Sequence, residues 1–164
     1  MSAAVLLKLL HVVAGFGLVA GALGRNVTFM QAARSTDVRT AQALLQASEF
    51  FERRMLIPAS MAVLLFGLVT AWLQGWPILG FLQGGDSNWV LASLILFLLP
   101  GFVIPGFLLP RRKARREALD DALAQGRVTP QLTAALNDRF VARFRAAELA
   151  GLGVIILLMV AKPF

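Results

Sequence analysis

The chain has 164 residues, 58% of them hydrophobic, with no Cys, no Tyr, a single His and a net charge of +7. The absence of Cys excludes disulfides, thiolate metal sites, Cys nucleophiles and haem attached covalently through a C-x-x-C-H motif, and with one His and no Tyr most side-chain catalytic constellations are out of reach. The positive charge does not mark a nucleic-acid binder, because the basic residues border apolar stretches instead of forming a soluble face interleaved with aromatics.

Four apolar stretches run from Ala3 to Gly24, Met55 to Leu73, Trp89 to Leu109 and Ala146 to Ala161. Each is near or a little below the roughly 20 residues that a helix needs to cross ~30 Å of hydrocarbon. The expected fold is all-α: an integral membrane four-helix bundle, with residues 1–164 forming a single four-span domain in a lipid bilayer. Within the first stretch, Ala20-Gly21-Ala22 has the small-x-small form of a cleavage site. The segment lacks a basic region ahead of its apolar run and is long for a signal, so it reads as a retained span.

His11 lies near the middle of that span, where an ionisable side chain is a functional candidate by default. Helical spacing puts Lys8, His11, Gly15, Leu18, Ala22 and Arg25 on one stripe, with the small Gly15 beside the imidazole leaving space for a flat ligand. Three readings of His11 stand open: a hydrogen bond to a Ser, Thr or carbonyl of another span, an axial ligand to haem or a related porphyrin, and a proton relay. Haem or porphyrin is the only cofactor class the residues suggest, with Met61 or Met159 as a second axial donor. Gly17 and Gly21 form a small-x-x-x-small pair, suited either to packing inside the bundle or to a homodimer or larger membrane complex.

The first connection, Arg25 to Arg54, holds five basic residues; the second, Gln74 to Asn88, holds none; the third, Pro110 to Arg145, holds nine. Basic connections stay in the cytoplasm, so both termini are expected outside. Trp72, Trp76 and Trp89 fall at the outer ends of their spans, where indole rings prefer the headgroup layer. Along the first connection, Thr36 reads as an N-cap with Asp37 as first-turn acid. The spacing of Ala41, Leu44, Leu45, Ser48 and Phe51 predicts an amphipathic helix leading into the second span. Pro58 predicts a kink one turn into that span. The outer connection, through Gly75, Pro77, Gly84, Gly85, Asp86 and Ser87, reads as a short turn-rich cap that returns Phe81 and Leu82 toward lipid.

The third span carries Pro100, Pro105 and Pro110, which predicts a bent or unwound helix. Beyond it the run Arg111, Arg112, Lys113, Arg115, Arg116 would attract anionic lipid at about 1 kcal/mol per charge, and retention of that loop inside explains the run equally well. A helix from there ends at a Gly126 cap, and Thr129-Pro130 opens another whose stripe Leu132, Leu136, Phe140, Phe144 continues into the fourth span. Both inner connections are therefore amphipathic helices. Glu148, at the inner edge of the last span, needs a cationic partner, and Arg25, Arg53 and Arg145 are candidates.

Several phrases carry a resemblance: Lys8-Leu9-Leu10-His11, Arg25, Ala71-Trp72-Leu73-Gln74-Gly75-Trp76-Pro77, Ala124-Gln125-Gly126-Arg127-Val128-Thr129-Pro130, and Met159-Val160-Ala161-Lys162-Pro163-Phe164. In these the chain resembles a bacterial family of predicted integral membrane proteins, domain of unknown function 2269, which implies four helices and no established activity. More distantly, Lys8-x-Leu10-His11 with a following Gly and Arg is similar to the first span of haem-binding membrane protoporphyrinogen oxidases and of copper-resistance D membrane domains. That likeness implies a haem-binding role for His11 and matches Arg25, while the second His of a bis-His site has no counterpart here. Three functions follow as expectations: a non-enzymatic structural or accessory bundle, a haem or porphyrin binder, and a small transporter.

Overall fold

The computed structural model describes residues 3–85 and 87–163, so Asp86 of the expected turn lies outside the described residues. Among the described residues every regular element is a helix. Helix α1, Ala3–Arg34, runs unbroken for 32 residues. At about 1.5 Å per residue that is about 48 Å, well beyond ~30 Å of hydrocarbon, so its last turns project from the apolar layer. A second rod consists of α2 (Val38–Phe51), a π-helical turn (Glu52–Leu56) and α3 (Ile57–Leu73). A cap containing a 3₁₀ turn at Gly80–Gln83 leads to the third rod: α4 (Trp89–Val103), a π-helical turn (Ile104–Leu108) and α5 (Leu109–Ala124). Helices α6 (Pro130–Leu136) and α7 (Arg139–Ala161) complete the chain.

Local chemistry sets the boundaries. Asp37, not Thr36, caps α2, its carboxylate accepting the Thr40 N–H at 2.7 Å. The Thr40 bonds hold that carboxyl below its ordinary range. Gly126 stops α5 at φ +66°, with the Gly126 N–H donating to the Leu123 carbonyl and the Arg127 N–H to that of Ala122. This left-handed ending is cheap only for a residue without Cβ. Thr129 caps α6, accepting the Leu132 N–H at 3.2 Å, with Pro130 in the first turn. The expected continuous stripe from Leu132 to Phe144 is interrupted. Asp138 starts a new helix by accepting from the Phe140 and Val141 amides, and Arg111 Nε holds the same carboxylate at 3.1 Å.

At the prolines where irregular helix was expected, two turns are widened and one proline is passed without interruption. Helix α4 passes through Pro100. Both π-helical turns close just before a proline, with the Ile57 N–H reaching the Glu52 carbonyl and the Leu109 N–H that of Ile104. A proline ring collides with the carbonyl four residues back, and one extra residue in the preceding turn opens that space.

Packing divides the molecule into two ends. Between the spans, α1 lies along α3 and α4 along α7, with little contact from pair to pair. The α1–α3 crossing is close because of glycine: a Cβ on Gly21 would meet Leu56 N at 2.7 Å, and one on Gly24 the Phe51 ring at 2.6 Å. Gly17 and Gly21 thus serve packing inside the bundle, and that face is taken. Large apolar side chains such as Phe16, Phe102 and Val160 stand 73%, 80% and 79% exposed along the spans, a surface suited to a lipid environment. The best-buried core lies past the membrane, at the end carrying the basic connections. There Phe29, Ala32, Val38, Leu45, Ala118, Ala122, Leu132 and Leu136 close together from α1, α2, α5 and α6.

Candidate functional site

His11 sits on the side of α1 that faces α3, its Nδ1 3.0 Å from the Val63 carbonyl oxygen. A carbonyl can only accept, so Nδ1 is the donor, and Nε2 makes no hydrogen bond among the described residues. The ring reaches that carbonyl because position 67, one turn further along α3, is glycine: a Cβ there would fall 2.8 Å from His11 Cε1 and 3.0 Å from Nδ1. The role expected of Gly15 is therefore filled by Gly67. Around Gly15 itself a Cβ would meet nothing within 4 Å, and Gly15 does not line the His11 site.

The sparse contact between the helix pairs leaves a cleft of about 400 Å³, with His11 and Lys8 on one wall and α4 and α7 on the other. Its walls are mainly apolar, including Leu64, Leu68, Val90, Phe97 and Ile155. Thr70 places a buried hydroxyl there with no hydrogen-bond partner among the described residues. Toward the cap, Trp76 and Trp89 pack edge to face, 4.4 Å between ring centres, and the Lys162 ammonium sits 4.1 Å above the Trp76 ring. Of the three tryptophans expected among headgroups, Trp72 is exposed, whereas Trp89 is buried and pairs with Trp76 to close this end of the bundle. Met159 lines the cleft with His11; Met61 points away and is 69% exposed.

Arg25 lies far from His11 along α1, at the basic end, where it is 5% exposed and paired with Glu148. Three candidate partners for Glu148 thus reduce to one. The same end collects the third connection: Arg112 pairs with Glu52 at 2.6 Å and Arg116 with Glu49 at 3.1 Å. The guanidiniums of Arg145 and Arg115 rest 3.4 and 5.2 Å from the centre of the Phe29 ring. The basic run is consequently split, with Arg111, Arg112 and Arg115 facing Arg25 and Arg145 across a small cavity, while Lys113 is exposed beside Glu117. Helical spacing could have announced that split, since 111, 112 and 115 share a face.

Neither the curated proteins nor the solved structures offer a match to this chain. What does match is a family model described as "Predicted integral membrane protein", which covers residues 5–163, all four apolar helices included. With the match running through every span and both connections described above, the chain belongs to the integral membrane family DUF2269.

Proposed function

We propose that this protein is a non-enzymatic membrane bundle that holds a flat amphiphilic ligand of the haem or porphyrin class in the cleft between its two helix pairs. The observation that carries this reading is the state of His11. Its Nδ1–H is committed to the Val63 carbonyl, and its Nε2 has no hydrogen-bond partner among the described residues, in a side chain that lines an apolar cleft. Metal-binding imidazoles are usually oriented in this way, by a backbone carbonyl on the nitrogen that does not bind. A volume near 400 Å³ suits a small-molecule site. Lys8 and Lys162 line the cleft and would meet an acidic substituent, Thr70 Oγ1 would offer an unused polar contact, and Met159 would offer a thioether sulfur. Arg25 and Gly15 have no part in it.

The orientation belongs to the same proposal: the basic end inside, the cleft and its tryptophan cap in the outer half of a bacterial inner membrane, and both termini outside. Fourteen of the sixteen basic residues sit in the first and third connections and none in the second, which is what retention of positive loops produces.

The test is the absorption spectrum of the full chain purified in detergent and titrated with haem. Wild-type protein gives a Soret band that His11→Ala abolishes or strongly shifts, since no second imidazole exists to replace it. A spectrum unchanged by added haem removes the ligand and leaves an accessory bundle as the function.

A further inference from the structure

At the basic end, five arginines from three helices surround one cavity: Arg25 on α1, Arg111, Arg112 and Arg115 on α5, and Arg145 on α7. Carboxylates account for three of them, Glu148 on Arg25, Asp138 on Arg111 and Glu52 on Arg112. Arg115 and Arg145 contact no carboxylate among the described residues and rest on the Phe29 ring. Two guanidinium charges are therefore left over in a half-buried place. Donors are left over too: Arg25 Nε and Arg145 Nη1 are shielded from solvent and have no hydrogen-bond partner among the described residues. Arg25 is itself 5% exposed, so its idle Nε is not waiting for bulk water.

We propose that this cavity binds an oxyanion of the phosphate class, and the inference does not depend on the ligand of the cleft. Guanidinium groups present forked N–H donors that match phosphate oxygens, and only an anion satisfies both the surplus charge and the surplus donors. The cavity is small, about 20 Å³, so the anion enters by one oxygen edge and keeps the rest toward the open side. The three helices bring their arginines in at the level where apolar spans give way to charge: Arg25 follows Gly24, Arg111 follows Pro110 and Arg145 precedes Ala146. That is the depth of headgroup phosphates, so a phospholipid and a free phosphate both supply the chemistry.

Two measurements on the full chain separate the sources. Calorimetric titration with inorganic phosphate in detergent reads free anion. Native mass spectrometry from nanodiscs of mixed phosphatidylglycerol and phosphatidylcholine reads retained lipid. Arg145→Gln and Arg115→Gln alter the cavity from two different helices, and Lys113→Gln removes a neighbouring exposed charge; helical circular dichroism and elution volume identify the folded variants. At least a tenfold loss of phosphate binding in each folded cavity variant, with Lys113→Gln unchanged, establishes the site with a free anion. The same pattern in phosphatidylglycerol retention alone establishes it with a headgroup. Binding of neither probe by wild type, undiminished binding by the cavity variants, or an equal loss in Lys113→Gln overturns it.

Discussion

Gly67 decides where the His11 ring can lie, and the cost of adding a single methyl there is calculable in kind. A Cβ would stand 2.8 Å from Cε1 and 3.0 Å from Nδ1, so the imidazole must swing off the Val63 carbonyl. Gly67→Ala is expected to cost about 1–3 kcal/mol as an overpacked contact. In ¹⁵N spectra of labelled His it should replace the single Nδ1–H tautomer by an averaged one; retention of that tautomer would contradict the assignment. At the basic end, Glu148→Ala leaves Arg25 charged, buried and without its carboxylate. Loss of one partner of such a pair typically costs ~3–5 kcal/mol, to be read as a fall in thermal stability in detergent. Glu148→Gln, which keeps an acceptor, should cost less. Here the sequence was informative in part. His11 and Glu148 announce themselves as ionisable groups at the wrong depth for solvent. Gly67 is silent, because a glycine in an apolar span shows its purpose only when the helix opposite it is known.

Among the elements, the caps were the easiest to read and the prolines the hardest. Thr129-Pro130 and Gly126 behave as their backbone preferences require. Asp37 takes the cap one residue from where it was expected, because its carboxylate reaches the Thr40 amide. Since the folded Asp37 carboxyl lies below its ordinary value, its contribution to α2 is complete above that ordinary value and fades as the pH falls through the folded one. The protection of the Thr40 amide, the slowing of its exchange relative to an unstructured amide at the same pH, should therefore fall on acidification through the carboxylate range, and should be low throughout in Asp37→Ala. The α1–α3 crossing gives a sharper test. Gly21→Leu sets a branched side chain against the Leu56 backbone, which cannot retract as a side-chain tip can. Separation of the two helices, seen as lost thermal stability and rapid proteolysis near residues 52–56, is the expected outcome. The prolines announce an irregularity near Pro58 and along the third span, and its form, a π-helical turn ahead of Pro58 and another that contains Pro105 while α4 runs on through Pro100, depends on backbone spacing that composition does not show.

For the whole molecule, hydrophobicity and charge made the architecture plain, and the distribution of its core stayed hidden. Four spans and two basic connections follow from composition along the chain. That the firmest packing lies beyond the spans follows from Ala32, Ala122 and Leu132, each 0% exposed, whose neighbours are distant in sequence. Cysteines introduced near Gly84 should react with impermeant maleimide in intact cells, and those introduced near Gly126 only after lysis; the reverse pattern inverts the orientation. The two π-helical turns act on this same scale. Each adds one residue to a rod and so advances everything beyond it by about 100° around the helix axis. A single rod thereby changes phase at the membrane boundary, showing lipid one meridian and the protein interior another. Were residues 104–108 to close into ordinary α-helix with all five retained, Arg111, Arg112 and Arg115 would swing together by about 100°, away from Arg25 and Arg145, whereas deleting one residue there would leave them in their present phase.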